Sequence, residues 1–265
     1  MNENEILDVT TEVAKEIAKD VYEDVGHPVA KPTGELVGLI PRAIKAALSP
    51  LEKWVLQKEY NVEETRKLLE KKLENVSPDQ IEAPEPHIAV PAMQYISYCM
   101  DNEELREMYA NLLASSMKKD TKDNAHPSFV EIIKQLSPDE AKLLGYINRQ
   151  ETGIPMVFLN VRKKSGGTLV LDNGFTNATE LCGCDYPLDG EKYLDNLERL
   201  GLLKRSQELH FTNRTVYRAL KEHSYIALQK NHIEMRSDVE KVEYIEGSAE
   251  LTQFGKSFCK MCIGS

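Results

Sequence analysis

Apolar residues recur at steps of three and four along the first half of this chain, a spacing that predicts amphipathic helices. Over 4–25 the stripe is Ile6, Val9, Val13, Ile17 and Val21, and Gly26, Pro28 and Pro32 end it. Residues 34–58 are the most hydrophobic, with Leu36, Ile40, Ala43, Ile44, Ala47, Leu51, Trp54 and Val55 on one stripe. The other face carries Arg42, Lys45, Lys53 and Lys58 against Glu35 and Glu52. Ser49-Pro50-Leu51-Glu52 has the order of a capping box with proline at the first helical position, so a second helix is predicted from Pro50. The stretch reads as a core helix pair or, with a basic face opposite Trp54, as a helix lying on a membrane surface. Core helices share the pattern more often. Steps of four and three continue through Val62, Arg66, Leu69, Leu73 and Val76, too few heptads for a coiled coil.

Between Pro86 and Tyr146 the predicted helices are short and have hard stops. Ser77-Pro78-Asp79-Gln80 starts a brief helix, and Pro84, Pro86 and Pro91 form a stiff connector, placing a boundary near residue 84. A helix is expected over 90–98. Asp101, with Glu104 three residues on, is expected to cap the next, which buries Leu105, Met108, Tyr109, Leu112, Leu113 and Met117. A polar loop fills 118–124. Pro127 then opens a helix bearing Phe129, Ile132, Ile133 and Leu136. Ser137-Pro138-Asp139-Glu140 stops it and caps a further one burying Ala141, Leu143, Leu144 and Ile147, which predicts a compact bundle.

After Gly153 the period changes. Met156, Phe158 and Val161, a turn over 163–167, and Leu169-Val170-Leu171 predict a β-hairpin. A short helix over 176–184, a turn, and a helix over 192–200 burying Tyr193, Leu194, Leu197 and Leu200 follow, ended by Gly201 and an extended 202–205. Helix, turn, helix, glycine, strand is the order of a winged helix-turn-helix. One more helix is expected over 216–229. A second hairpin, 241–245 with 249–251 about Glu246-Gly247-Ser248, would be the wing, and Thr252 caps a closing helix through Phe254, Phe258 and Met261.

Composition narrows the partners. At 265 residues, 41% hydrophobic and 29% charged, the chain has the makings of two or three packed parts rather than a disordered one. A net charge of −10 opposes a protein that coats nucleic acid, which needs a basic face. The charge is uneven: residues 1–144 hold 17 Lys+Arg against 27 Asp+Glu, whereas 145–265 hold 16 of each. Five cysteines, an odd number, an acidic opening without a signal-like region, and no run of 18 apolar residues lead us to expect a cytoplasmic protein without disulfides.

Leu105 through Ser115, LREMYANLLAS, then His126-Pro127-Ser128-Phe129-Val130-Glu131-Ile132-Ile133, Leu136-Ser137-Pro138 and Leu143-Leu144 resemble the abortive infection alpha (Abi-alpha) family of bacterial and phage proteins. The proline-flanked stretch 28–56, Leu197-Glu198-Arg199-Leu200-Gly201-Leu202 and Leu251-Thr252-Gln253-Phe254-Gly255 look like the family too. The resemblance implies a role in phage–host conflict, in which an infected cell halts growth before new phage emerge. It implies no catalytic residue.

Local signatures of catalysis are missing: no Walker loop, no Gly-x-Ser-x-Gly, no His-Glu-x-x-His. A non-enzymatic protein without catalytic residues, cofactor or metal is therefore expected. His126 is a titratable group in the family-like run, but beside Pro127 a capping or packing role is the ordinary one. Cys182-Gly183-Cys184 and Cys259-Lys260-Met261-Cys262 invite a four-thiolate zinc site, although the one-residue spacing of the first pair is poor for zinc and buried thiols are the plain alternative. In the candidate recognition helix Glu191, Asp195 and Glu198 offset Lys192 and Arg199, and the expected wing carries Glu240, Glu243, Glu246 and Glu250 beside Lys241. Phosphates would be repelled, so protein contact is favoured over DNA.

The expected architecture is mainly α, a multi-helix bundle with a C-terminal winged-helix-like part containing short β-hairpins. Its parts are an amphipathic helical region over 1–84, a central bundle over 85–152 and the winged-helix-like part over 153–265. The expected function is anti-phage defence as a sensor or effector meeting a protein partner or phage component, with self-association left open. The alternatives are a DNA-binding regulator and a membrane-disrupting effector acting through 34–58. Candidate interaction residues are Arg42, Lys45, Trp54, His126, Lys192, Arg199, Lys204 and Arg205.

Overall fold

The computed structural model describes residues 41–45, 59–171 and 174–264, in two compact units divided between Lys134 and Gln135. The helix predicted over 4–25 lies outside the described residues, as does most of 34–58, including Trp54 and the Pro50 helix start. Within that stretch residues 41–45 are helical and Ile44 is buried.

The first unit is helical, with α1 (Glu59–Leu73), α2 (Pro86–Ile96), α3 (Glu103–Ser116) and α4 (Ser128–Lys134). Helix α3 packs against the other three. The predicted stripes meet there: Leu69 and Leu73, then Ile88, Met93 and Ile96, then Met108, Tyr109, Leu112 and Leu113, with Phe129 and Ile133, are all buried. Three local expectations shift. Helix α2 starts at Pro86, four residues before the expected Val90, because proline at the first helical position gives up only an N–H that has no helical partner. The cap of α3 is Asn102 rather than Asp101, its Oδ1 accepting the Leu105 N–H at 3.0 Å. The start at Ser77-Pro78 gives only a 3-10 turn, Pro78–Gln80.

The second unit opens with α5 (Pro138–Asn148), whose capping box is formed as expected: the Glu140 N–H donates to Ser137 Oγ at 3.2 Å and the Ser137 N–H to Glu140 Oε2 at 2.6 Å. The strands β1 (Ile154–Lys163), β2 (Thr168–Val170), β3 (Leu203–Ser206) and β4 (Val239–Leu251) form an antiparallel sheet in the order β2-β1-β4-β3. The expected hairpin is β1–β2, in register at Val161↔Leu169. Helices α6 (Ala178–Leu181) and α7 (Gly190–Arg199) lie between β2 and β3 in sequence, α8 (Val216–Glu222) and α9 (Ser224–Glu234) between β3 and β4, and α10 (Gln253–Cys262) closes the chain. Thr252 caps α10 through the Gly255 N–H at 2.9 Å. In β1, Val157, Leu159 and Val161 form a core cluster with Tyr217, Leu220, Ile226, Val239 and Val242, while Met156 and Phe158, which alternation sends to the other face, are equally buried.

Two expectations about this unit are overturned. The wing hairpin over 241–251 does not form: β4 is one 13-residue strand running straight through Glu246-Gly247-Ser248 and paired with β1 along its length. Gly247 is there for close approach, since a Cβ would collide with the Ser206 carbonyl and lie 2.7 Å from the Phe158 ring. Its neighbours are anchored, too, with Glu246 paired to Lys221 at 2.6 Å and to Arg214, and the Ser248 hydroxyl donating to the Leu209 carbonyl at 3.0 Å. The single helix expected over 216–229 is two, because His223 turns extended (ψ 132°) and its Nδ1 accepts the Tyr225 N–H at 3.3 Å to start α9.

Candidate functional site

Among the described residues a set of polar groups gathers around Asp139, the second residue of α5 and only 4% exposed. Its Oδ1 accepts the Asp185 N–H at 2.8 Å; its Oδ2 accepts the Tyr186 N–H at 2.9 Å and the Tyr193 hydroxyl at 2.8 Å. Lys142, one turn along α5, lies 3.5 Å from Oδ1 and 3.0 Å from Asp185 Oδ2. Burial on its own would raise the carboxyl's pKa, but the two amides, the phenol and Lys142 together outweigh it and hold it below the usual carboxylate range. The same proximity, with burial as the larger cause, pushes the Tyr193 phenol far up, so this hydroxyl stays a donor. One carboxylate thus ties the turn after α6 and the helix α7 to the start of α5.

Two thiols border the network. Cys184 is buried, with Sγ 3.5 Å from the Asp139 carbonyl oxygen. Cys182 is half-buried, with Sγ 3.5 Å from the Thr179 carbonyl and 3.4 Å from Cys184 Sγ. Gly183 between them has φ +72°, which allows the chain to fold both side chains to one side. Cys259 and Cys262 are wholly buried in α10, and burial raises both thiols, Cys259 to about 12. Among the described residues no group of three or more His, Cys, Asp or Glu side chains is arranged to hold a metal ion, so the two cysteine pairs do not make the four-thiolate site weighed above.

The basic candidates in this unit all have partners. Arg205, 16% exposed at the side chain, donates from Nε to Glu198 at 2.7 Å and from Nη2 to Asp195 at 2.7 Å. Arg199 binds Asn196 at 2.6 Å and Gln135 at 3.1 Å, Lys192 pairs with Asp189 at 2.9 Å, and Lys204 pairs with Glu250 at 3.0 Å. Lys192, Lys204 and Arg205 are therefore paired with carboxylates, while Arg199 is held by the amide oxygens of Asn196 and Gln135. In the first unit Arg42 and Lys45 are exposed. His126 is exposed and works as a local cap, its Nδ1 receiving the Ser128 N–H at 3.1 Å and standing 2.6 Å from the Ser128 hydroxyl. Large apolar side chains stand out beside the Asp139 network: Leu181, Tyr186 and Leu188 are each more than 60% exposed. A cavity of about 160 Å³ lies nearby, lined by Leu159, Phe175, Glu191, Leu194, Ile226 and Gln229 among others.

Sequence reasoning passed over Asp139 because it read the residue only as part of a cap. Its partners lie 46 to 54 positions away, and no local pattern marks such a pairing.

The abortive infection alpha family matches residues 57–262. The chain belongs to this family. The match spans both units and the whole Asp139 network. Two of the Abi-alpha-like segments named above meet in space: the Thr252 N–H donates to the Leu202 carbonyl at 3.0 Å, and Gly255 lies so close that a Cβ would strike that carbonyl oxygen. No curated protein matches the chain. A solved structure of a protein from the hydrocarbon-degrading marine bacterium Alcanivorax borkumensis SK2 is similar at 18% identity and a TM-score of 0.38, over 54% of this chain and 94% of that one; a likeness this low carries no argument. Among the described residues no helix is long and apolar enough to cross a membrane.

Proposed function

We propose that this protein acts in anti-phage defence by abortive infection, as a non-enzymatic sensor or effector that works through protein contacts. The observation that carries the defence reading is the family match over residues 57–262. Protein contact is supported by the carboxylate partners of Lys192, Lys204 and Arg205 and by the amide oxygens that hold Arg199, which engage the cations of α7 and β3 that phosphate binding would use. The absence of catalysis is a reading of the Asp139 centre: each carboxylate oxygen is taken up by donors from the 185–186 turn and α7, and burial holds the Cys184 thiol and the Tyr193 phenol protonated.

In this reading the second unit is a modified winged helix. The run α5–β1–α6–α7–β3–β4, with β4 between β1 and β3 in the sheet, supports that assignment, and the two-helix excursion α8–α9 occupies the place of a wing. The contact segment is 181–188, where Leu181, Tyr186 and Leu188 are presented on a turn pinned by Asp139 and would gain most from being covered by a protein partner.

Expression in a phage-sensitive bacterial host tests the proposal. Plaques should fall while infected cells fail to recover; survival of infected cells would overturn abortive arrest. The double substitution Tyr186→Ala with Leu188→Ser should abolish protection with an unchanged melting curve, and full protection would remove this segment as the contact. A salt-sensitive gel shift with a random duplex would instead support the DNA-binding alternative.

A further inference from the structure

We infer that Cys182 and Cys184 form a redox-modification site, a dithiol that closes to an intramolecular disulfide under a hydroperoxide. The sulfurs already stand 3.4 Å apart and need to approach to about 2.0 Å to bond. Gly183 at φ +72° supplies the tight turn that such a short ring demands, and nothing stands within 4 Å of where its Cβ would be, so the turn has room to adjust. The pair is asymmetric in a useful way. Cys182 is partly open to solvent, whereas Cys184 is buried against the Asp139 carbonyl, which assigns the first oxidation to Cys182 and the resolving role to Cys184.

The chemistry balances with hydrogen peroxide as oxidant. The Cys182 sulfur attacks one peroxide oxygen, the O–O bond breaks, and a sulfenic acid and one water result. The Cys184 sulfur then attacks the sulfenic sulfur, the S–O bond breaks, the S–S bond forms and a second water leaves with the Cys184 proton. Two thiols and one peroxide give one disulfide and two waters, and an external dithiol reverses the step. Closure consumes the Cys184 S–H that faces the Asp139 carbonyl. Because Asp185 and Tyr186, the two residues next in sequence, donate their amides to the Asp139 carboxylate, oxidation is transmitted to the turn that carries Tyr186. The inference does not depend on the defence reading, since its test measures sulfur chemistry.

The full-length reduced protein is treated with a small molar excess of hydrogen peroxide in its native state, quenched, alkylated and mapped after trypsin. The peptide spanning 165–192 holds no cysteines besides Cys182 and Cys184. It should appear unalkylated and lighter by two hydrogens, return to the doubly alkylated form after dithiothreitol, and show faster hydrogen exchange at Asp185 and Tyr186 while oxidised. Under the same treatment Cys259 and Cys262 should remain thiols. Double alkylation of the 165–192 peptide after peroxide, or its build-up as a sulfinic acid without the cross-link, would overturn the inference. In Cys184→Ser, dimedone should trap the sulfenic acid at Cys182; because the native protein is itself mapped, the conclusion stands on that result even if the variant folds poorly.

Discussion

The two units solve the problem of a stable interior with different materials. In the first, four helices join along α3, and what they share is apolar: Leu112, Leu113, Ile96 and Leu73 have no exposed surface, and helix starts are set by nearby caps such as Asn102. In the second, a sheet buried along much of both faces of β1 is joined by polar contacts between residues distant in sequence, Glu246 tying β4 to α8 and Asp139 tying α5 to α7 and the turn before it. Apolar packing tolerates adjustment, because another apolar side chain of similar volume fills the space. A buried carboxylate does not, because every donor aimed at it is stranded if it leaves. The first unit should therefore yield by degrees to substitution, and the second should fail at a few points.

The largest test of that contrast is Asp139→Ala. It takes the acceptor from two part-buried amides and leaves the Tyr193 hydroxyl only the Tyr186 carbonyl at 3.2 Å, and should lower the stability of the second unit by roughly 2–4 kcal/mol. Leu113→Ala should cost the first unit a similar amount, about 2–5 kcal/mol, through its cavity, but Leu113→Met should recover most of that loss, whereas at position 139 only Asn or Glu, which keep an acceptor oxygen, should recover any. Hydrogen exchange read separately for the two units during urea unfolding makes the measurement. A loss under about 1 kcal/mol for Asp139→Ala would break the comparison.

Gly247→Ala comes next. The added methyl meets the Ser206 carbonyl and the Phe158 ring in the middle of β4, and a cost of about 1–3 kcal/mol is expected from such overpacking. An unchanged melting temperature would show that β3 moves aside freely and that the sheet is loosely packed at this point.

Acid gives a gentler probe. Because the folded state holds the Asp139 carboxyl below the ordinary value near 3.9, its contribution is complete above that pH and is lost as pH falls through the depressed folded value. The midpoint for the second unit should accordingly stay level from pH 7 to about 5 and decline below about 4. Asp139→Asn should start lower and decline less. An identical acid slope in both proteins would mean that other carboxylates carry the effect.

The smallest effects should be alike in the two units. Asn102→Ala in the first and Ser137→Ala in the second each remove a helix cap and should each cost about 1 kcal/mol by chemical denaturation. A several-fold difference between them would show that the capping box at Ser137, which borders Asp139, is coupled to the buried network.

Along the chain, what could be read locally was read well. The capping box at Ser137, the cap at Thr252, the helical stripes of α1, α3 and α5 and the β1–β2 hairpin are written in residues a few positions apart. Local signals also misplace boundaries, as at Asn102, Pro86 and the Pro78 turn, and His223 caps a second helix where the apolar period suggests one; Gly247 has the look of a turn and is a contact point with the distant Ser206 and Phe158. Leu200, counted as a core position, is only half-buried at the end of α7.

Taken by itself, the sequence determined helix periods, caps, the acidic first half and the kinship with the abortive infection alpha family, because each of these depends on neighbours in the chain or on residue counts. Only the tertiary structure decided that β4 is a single strand between β1 and β3, that Arg205 is already paired with Asp195 and Glu198 of α7, and that Asp139 gathers Asp185, Tyr186 and Tyr193. Those facts join residues tens of positions apart, where the energy gained depends on burial and direction in space, and neither is encoded in the spacing of residues along the chain.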